Sequence, residues 1–260
     1  MGRLGLRKTA MTGYIRVATY NVHKCRGMDG RVSPERIAAV IAELDADVVA
    51  IQEILDVHNG RPEFNQARQI HDTLKGYQRC FGENRTLHGG PYGNMTLSRF
   101  PLRLCRNYDV TWGRRERRGC LRTDVVLGED VVLHIFNVHL GTSFIERRHQ
   151  ARKLLSEEVL NRLEHSGPRI VAGDFNEWTR GLASRLMRDA FEVADPRAFL
   201  RYARTYPGVL PLLHLDHFYY DAQLSLKSFR LHRSRKALVA SDHLPLVAEF
   251  ETNLSRWCAA

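Results

Sequence analysis

The apolar segments of this 260-residue chain are short, and their length constrains the fold more than any other feature. Runs such as 48–51 and 131–133 have the length of β-strands, and none approaches the roughly 20 residues of a membrane-spanning helix. Segments with helical spacing lie between them. Hydrophobic residues make up 43% of the chain, which is enough for one sizeable core. A chain of 260 residues is too compact to suggest two independent cores. We therefore predict one mixed α/β domain over 14–251, a disordered segment 1–13 and a C-terminal tail 252–260.

The clearest helix signal lies at 33–44. Ser33 is a plausible N-cap, Pro34 stands at the first helical position, and Ile37, Ile41 and Leu44 lie on one face. Further helices are predicted over 63–74, about 145–164 and 182–187. Strands are predicted at 14–23, 48–51, 77–81, 92–102, 169–176, 215–220, 224–231 and 244–250, with a hairpin over 119–141 that turns at 128–130.

The cysteines predict a reducing compartment. Their positions are Cys25, Cys80, Cys105, Cys120 and Cys258. An odd, scattered set without CxxC spacing indicates reduced thiols rather than a disulfide framework or a zinc site. The basic N-terminus has no apolar h-region and does not resemble a signal peptide. The predicted location is therefore cytoplasmic, with peripheral contact at a membrane left open.

The chain is basic. Lys and Arg number 39 and Asp and Glu 29, which gives a net charge of +10. A basic chain favours anionic partners such as nucleic acid, phospholipid head groups or phosphate esters, although a basic surface can also be simply solvated. Basic runs lie at 113–119, 146–153 and 230–236, and the second, on a predicted helix, is interpreted as mostly a solvated face.

Polar side chains collect at the ends of six predicted strands. They are Asn21, Glu53, His139, Asp174 with Asn176, Asp216, and Asp242 with His243. Each alone has an ordinary explanation as a cap, a turn or a core histidine. Asp174 and Asn176 follow a buried strand and are two residues apart, so a strand would point both the same way; a tight turn is the alternative. Together, these acid, amide and imidazole groups are the types that bind a hard divalent cation and move protons.

Six motifs appear in a familiar order: "TYNVH", "QE", "GNMTLSR", "NVHLG", "GDFN" and "SDHLPL". In that order they resemble the endonuclease/exonuclease/phosphatase superfamily, and most of all its bacterial YbhP-like branch, over about residues 15–250. The resemblance implies a four-layer αββα sandwich of two mixed β-sheets flanked by helices, as in pancreatic deoxyribonuclease. It places the site at one end of the sheets.

The resemblance also implies residue roles. Asn21, Glu53 and Asp242 match the metal positions, for Mg²⁺ or Mn²⁺. The catalytic set is His139, Asp174, Asn176, Asp216 and His243. In that set Asp216 orients His243, and the base is either His243 or Asp174. Asn176 donates to a phosphate oxygen, and His139 contacts the phosphate or protonates the leaving group. Arg118 and Asn94 are substrate-binding candidates.

Two features depart from the superfamily pattern. His217 follows Asp216 where an aromatic residue is common; we predict that it replaces a packing group, with a phosphate or metal contact as the alternative. The Glu that supports the first histidine in pancreatic deoxyribonuclease has no match, and the equivalent stretch carries Asn94.

Three functions remain open at this level. The first is a metal-dependent phosphodiesterase or phosphatase acting on lipid or small-molecule esters, with a turn at 205–213 (Val209, Leu210, Leu212 and Leu213) that dips into a lipid interface or packs under a loop. The second is a nuclease, favoured by the +10 charge. The third is an inactive binding module, which would need a lost metal ligand. Since Asn21, Glu53 and Asp242 are all present, we predict an active enzyme of the first kind, with the nuclease as the alternative. No obligate protein partner is predicted.

Overall fold

The computed structural model describes residues 13–59, 61–128, 131–161, 167–178, 181–194, 204–207 and 213–251. The predicted segment 1–13, apart from Gly13, and the predicted tail 252–260 lie outside these residues. The strands are β1 (Tyr14–Asn21), β2 (Val48–Leu55), β3 (Gln78–Leu87), β4 (Gly90–Ser98), β5 (Leu102–Asp109), β6 (Gly119–Val126), β7 (Val132–His139), β8 (Arg169–Asp174), β9 (Glu192–Val193), β10 (Asp216–Tyr220), β11 (Ser225–Leu231) and β12 (Leu246–Glu251).

The described helices alternate with these strands. They are α1 (Pro34–Leu44), α2 (Gln66–Thr73), α3 (Phe144–Leu154), α4 (Leu182–Ala190) and the short α5 (Ala237–Ala240), with 3-10 turns at His23–Cys25 and Pro62–Phe64. None of these helices has the length and apolar character needed to cross a bilayer.

The described strands form two six-stranded sheets. Sheet one has the order β11-β12-β1-β2-β4-β3, and sheet two has the order β5-β6-β7-β8-β10-β9. Within each sheet one adjacent pair is parallel, β1 with β2 and β7 with β8, and the other pairs are antiparallel. Both sheets are therefore mixed, as predicted.

Successive side chains of the central strands point to opposite faces of their sheet, and both faces are buried. Val17 and Val48 of sheet one share a buried cluster with Ile135 and Ala172 of sheet two, so the sheets pack face to face. The alternate residues of β1 and β2 turn outward into a cluster with α1 and α2. On the other side, β7 and β8 contribute to a cluster that includes α3 and α4 residues such as Met187. The order helices, sheet, sheet, helices confirms the four-layer sandwich.

Helix α1 begins and ends as its sequence dictates. The Ser33 Oγ accepts a hydrogen bond from the Arg36 backbone N–H at 3.2 Å, and Pro34 stands at N1. The helix ends at Leu44, and the C-cap residue Asp45 adopts the left-handed conformation with φ of 48°. Ile37 and Ile41 are fully buried on the inner face.

Helix α3 is shorter than predicted, ending at Leu154 rather than near residue 164. The Ser156 hydroxyl donates to the Lys153 carbonyl at 2.7 Å, and the Leu160 backbone N–H donates to the Leu154 carbonyl at 3.0 Å. These bonds satisfy the last carbonyls of the helix in a turn. Leu160 is nevertheless buried, so the apolar periodicity extends beyond the helix itself.

The basic run on α3 is only partly a solvated face. Arg148 and Arg152 are exposed, as predicted. Arg147 is buried instead, and its guanidinium donates to the carbonyls of Gly141 and Thr142 at 3.3 and 2.5 Å. It ties α3 to the segment that follows β7.

The prediction that all the cysteines are reduced thiols is wrong. Cys80 on β3 and Cys105 on β5 form a disulfide, with their Cα atoms 5.7 Å apart. The two strands belong to different sheets, and the pairing depends on how those sheets stack, which cysteine spacing does not reveal. Cys25 and Cys120 are free and buried, and Cys258 lies outside the described residues.

A buried amide joins the two sheets beneath an irregular part of β2. The register of β2 with β4 shifts just after Ile51. From the opposite sheet, the Asn137 Nδ2 donates to the carbonyls of Ile51 and Met95, each at 3.0 Å, and its Oδ1 accepts from Gln52 at 2.8 Å. Asn137 therefore stabilises the interrupted strand from which Glu53 projects.

We expect Asn137→Ala to lower the free energy of unfolding by about 2–4 kcal/mol, because it leaves several buried polar groups without partners. Denaturant unfolding measures this change. Asn107→Ala is the matched control. The Asn107 amide also donates to a carbonyl, that of Glu83 at 2.7 Å, but at the surface. A loss in Asn137→Ala no larger than in Asn107→Ala would contradict the role of this network.

Candidate active site

The carboxyl ends of the two parallel strand pairs meet across the sandwich. Asn21 and Glu53 come from β1 and β2, and His139 and Asp174 from β7 and β8. Asp174 lies opposite His139 on one side and opposite Asp216 of β10 on the other. Strand register thus brings three of the predicted catalytic residues into one row.

Strained backbone marks this end of the molecule. Five described residues there have positive φ without being glycine: His23 (45°), Lys24 (56°), Cys25 (57°), Glu53 (59°) and Asn176 (49°). Such conformations cost free energy and persist where the surrounding structure fixes them, which is common at functional sites. Glu53 lies within the irregular part of β2, which re-aims its side chain.

Asn21 connects the two sheets at the site. Its Nδ2 donates to the Glu53 Oε1 at 3.1 Å and to the Asp174 Oδ2 at 3.0 Å, while its Oδ1 accepts from the His23 backbone N–H at 3.0 Å. The amide, predicted as a metal ligand, therefore holds two carboxylates in one place.

The His23 ring lies between the carboxylates of Asp242 and Glu53. The His23 Nδ1 lies 3.5 Å from the Asp242 Oδ2 and 3.8 Å from the Glu53 Oε2. The Ser241 hydroxyl, just before Asp242, donates to the Asn21 carbonyl at 2.8 Å. The three predicted metal residues, Asn21, Glu53 and Asp242, thus lie close together around His23, and the partly exposed space beside Glu53 and Asp242 is here called the hollow.

His243 lies between two aspartates. Its Nδ1 is 2.9 Å from the Asp216 Oδ2, and its Nε2 is 3.7 Å from the Asp174 Oδ2. All three side chains are buried. This arrangement places Asp216 where an orienting carboxylate is expected.

His139 faces donors on both ring nitrogens. The Arg118 Nη1 lies 3.1 Å from Nδ1, and the Asn176 Nδ2 lies 3.1 Å from Nε2. Asn176 also donates to the Leu140 carbonyl at 2.9 Å. Arg118 is buried against His139 and pairs with Glu116 at 3.0 Å, which puts it in the site rather than on a solvated surface.

Strand periodicity does not explain how Asn176 reaches the site. Strand β8 ends at Asp174, and the Asp174 Oδ1 accepts the Asn176 backbone N–H at 2.8 Å. The "GDFN" motif is thus a tight turn, with Asn176 in a left-handed conformation. That turn brings the Asn176 amide to His139, so the turn and the chemistry share the same residues.

Burial and neighbouring charges set the protonation of the acids. Burial alone would raise the pKa of Glu53, but the charge of the Lys24 ammonium and hydrogen bonds from Lys24 and Asn21 lower it below its usual range. Burial raises the pKa of Asp174 to about 7, against the opposing effects of His243 and the hydrogen bond from Asn21. One carboxyl is therefore held as an anion, and the other can exchange a proton near neutral pH.

The two histidines are shifted in opposite directions. Burial would lower the pKa of His243, but the charges of Asp216 and Asp174 raise it to about 10. Burial, helped by the charge of Arg118, lowers the pKa of His139 well below its ordinary value. His243 is therefore an imidazolium and His139 a neutral ring at neutral pH.

The side chains fit a divalent cation. One ligand atom each from Asp174, Asp216 and His243 lies within 4.8 Å of the others. The Asp216 Oδ1 is buried and has no hydrogen-bond partner among the described residues. Since the protonated His243 offers no lone pair, the available donors are the carboxylate oxygens of Asp174, Asp216, Glu53 and Asp242, and such oxygens suit a hard cation such as Mg²⁺.

Asn94, predicted as a substrate-binding residue, makes no side-chain contact with the residues of the site in the hydrogen bonds of the described chain. It is fully buried, and its Nδ2 donates to the carbonyls of Gly119 and Asn137 at 3.3 and 3.2 Å. Its position in β4, facing the opposite sheet, makes it a structural bridge.

His217 packs as predicted. Its ring lies edge-on to Phe175 at 5.5 Å between centroids and is stacked with Tyr219 at 6.0 Å. Burial lowers the pKa of His217 well below its usual value, so it is a neutral packing group.

Two residues of the site were missed in the sequence. His23 and Lys24 follow Asn21 in the "TYNVHK" segment and reach Glu53, the lysine with Nζ 2.7 Å from Oε2. The sequence feature that could have identified them is their position directly after a strand that ends in a polar residue.

Of the turn 205–213, residues Val209, Leu210 and Leu212 lie outside the described residues, and Leu213 is half-buried.

Comparisons with known proteins identify the relatives of this chain and structures with a similar fold. The model of the Endonuclease/Exonuclease/phosphatase family matches residues 18–243. The protein YbhP of Escherichia coli strain K12 is 32% identical over 247 residues, covering 90% of this chain and 95% of YbhP. An endonuclease/exonuclease/phosphatase structure from Bacteroides vulgatus is similar with a TM-score of 0.75, 18% identity and coverage of 92% and 98% of the two chains. The mannosyl-6-phosphatase of Bacteroides thetaiotaomicron is similar with a TM-score of 0.70, 18% identity and coverage of 91% and 99%.

Proposed function

This chain belongs to the Endonuclease/Exonuclease/phosphatase family, and on that premise we propose that it is a divalent-metal-dependent hydrolase of phosphate esters. One observation carries the proposal. The Asn21 amide joins an ionised carboxylate, Glu53, to a carboxyl with a raised pKa, Asp174, and His243 lies 3.7 Å from the latter. Pairs of acids whose pKa values are driven apart by their surroundings are typical of hydrolytic sites.

Glu53, with Asn21 and Asp242, would hold Mg²⁺ or Mn²⁺, which supplies positive charge to the phosphate and the leaving oxygen. Glu53 suits this role because it remains ionised and its side chain is 16% exposed at the hollow. Asp242, at 23% exposure, faces the same space.

Asp174 is the proposed proton acceptor for the attacking water. Burial raises its pKa above the usual carboxyl range, which suits a group that takes up a proton and releases it again. His243 is already protonated at neutral pH and is a poor base. Paired with Asp216, it instead presents positive charge to the phosphate.

His139, Asn176 and Arg118 form the opposite wall of the hollow. The Asn176 Nδ2 and the guanidinium of Arg118 are donors suited to phosphate oxygens. A neutral His139 ring can accept from only one of these two donors, and it would contact the same phosphate group. A bound phosphate group would therefore replace His139 as the partner of these donors.

The preferred substrates are lipid or small-molecule phosphate esters. Large apolar side chains are exposed directly after the strands that carry His139 and Asp174: Phe144 (53%), Ile145 (54%) and Trp178 (61%). Such groups suit a substrate or interface with an apolar part. The alternative, a nuclease, is supported by the net charge of +10.

Turnover of four substrates tests this proposal: bis-p-nitrophenyl phosphate, phospholipid vesicles, plasmid and single-stranded RNA. We expect cleavage of the first two with Mg²⁺ or Mn²⁺ and none in excess EDTA. Asp174→Asn is expected to lower the rate at least about a hundredfold, because it removes the proton acceptor.

The comparison with Asp174→Asn also separates the alternatives. Plasmid nicking that the variant loses would favour the nuclease. Equal behaviour of the native chain and the variant on all four substrates would reject hydrolysis at this site.

A further inference from the structure

Lys24 forms an ion pair with Glu53, the carboxylate that the proposed function assigns to the metal. Its Nζ lies 2.7 Å from the Glu53 Oε2, and its side chain is 33% exposed in the hollow. The other Glu53 oxygen accepts from Asn21 at 3.1 Å. The carboxylate of Glu53 is therefore neutralised by the chain's own ammonium.

The backbone of Lys24 is fixed although its side chain is long. Lys24 has a φ of 56° within the left-handed turn His23–Cys25, and its carbonyl accepts from the Gln66 Nε2 at 2.7 Å. Among hydrogen bonds and ion pairs of the described residues, the ammonium is held by Glu53. A rigid base and a flexible four-carbon stem let the ammonium move while its root stays at the mouth of the hollow.

A divalent cation and the ammonium compete for Glu53, whose two oxygens already contact Lys24 and Asn21. Two positive charges on one half-buried carboxylate repel strongly, because water screens them poorly there. Cation binding must therefore release Lys24 from Glu53. The released ammonium remains beside the hollow. A phosphoryl group bound there would give it a new anionic partner in place of Glu53.

The geometry points to Lys24 as a phosphate-binding residue that acts as the counterion of Glu53 in the metal-free protein and turns to the phosphoryl oxygens when the cation binds. This inference rests on the proposed function and adds a substrate contact to it. It makes cation and phosphate binding mutually dependent through one side chain.

Lys24→Met removes the ammonium and keeps most of the stem. We expect the variant to bind Mn²⁺ about tenfold more tightly than the native chain, because nothing competes for Glu53, and its Mn²⁺-loaded form to bind inorganic phosphate about tenfold more weakly. Electron paramagnetic resonance of free Mn²⁺ and titration calorimetry with phosphate measure the two affinities. Lys24→Arg, which keeps a cation at Glu53, provides a second variant and should stay near the native Mn²⁺ affinity.

Lys227→Met is the matched control. Its Nζ also lies 2.7 Å from a carboxylate, that of Glu251, so the variant loses the same charge and the same type of pair outside the hollow. It should leave both affinities unchanged. An Mn²⁺ affinity of Lys24→Met equal to or weaker than the native value overturns the inference, and so does unchanged phosphate binding. Neither measurement requires turnover, so a chain that binds as described but hydrolyses nothing would reject only the proposed function.

Discussion

The Glu53→Gln variant is expected to hydrolyse phosphate esters about a thousandfold more slowly than the native chain. The substitution keeps the shape of the side chain and an oxygen that can accept from Asn21, which donates to Oε1 at 3.1 Å. It removes the negative charge that the proposed cation requires. It also leaves the Lys24 ammonium, at 2.7 Å, without a charged partner.

Initial rates on bis-p-nitrophenyl phosphate across a Mg²⁺ or Mn²⁺ titration measure this effect. Excess cation should not restore the rate, because the ligand itself is changed. Glu63→Gln is the control, since Glu63 is exposed and its nearest described ion pair, with Arg61, is 3.7 Å long. A Glu53→Gln rate within a few-fold of the control would remove Glu53 from the proposed mechanism.

The Asp216→Asn variant is expected to lose about a thousandfold in hydrolysis rate, by analogy with the loss when an orienting carboxylate is replaced beside a catalytic histidine. The Asp216 Oδ2 lies 2.9 Å from the His243 Nδ1, and its charge is one cause of the raised pKa of His243. An amide holds the ring less firmly and does not stabilise its charged form.

The pairing of His243 with Asp216 also determines how the stability of the folded protein changes with pH. The pKa of His243 is about 10 in the folded protein, above the value of roughly 6.5 in an unfolded chain. Its contribution to stability is therefore fully present below about pH 6.5 and is lost as the pH rises towards 10. Asp216→Asn removes a cause of the upward shift, so the variant should show less of this dependence.

Nitrogen-15 histidine spectra of the metal-free protein test this prediction directly. The native His243 ring should show no titration between about pH 6 and 8, whereas the ring in Asp216→Asn should begin to lose its proton at lower pH. Asp189→Asn, at an exposed position, should match the native chain in both rate and spectrum. A native His243 ring that titrates near pH 6.5 would contradict the charged imidazole invoked here.

Much of the fold could be predicted because its signals are local. The N-cap at Ser33, the alternating strands and the hairpin turning at Gly128 depend on neighbours within a few residues. The family motifs then added the four-layer order of those elements. Local signals failed where a hydrogen bond inside a turn ended a periodic segment, as at Ser156 after α3.

The site was predictable in composition more than in arrangement. Polar residues at strand ends identified Glu53, Asp174 and His243, and the structure brings them together. The same reasoning did not reveal that Asn94 bridges the sheets, because a strand residue that faces the opposite sheet carries no mark of that in its own segment. It also missed Lys24, whose contact with Glu53 depends on a left-handed turn.

The sequence by itself determined the element types, the family order of motifs and the chemical groups available for catalysis. Only the tertiary structure decided which groups meet: the Asn21 amide with Asp174, 153 residues away, the Cys80–Cys105 disulfide between the sheets, and the ammonium on Glu53. The physical reason is range. Periodicity, caps and turns arise from contacts within a few residues, whereas sheet register and stacking depend on side chains that are distant along the chain and lie adjacent only after the core has packed.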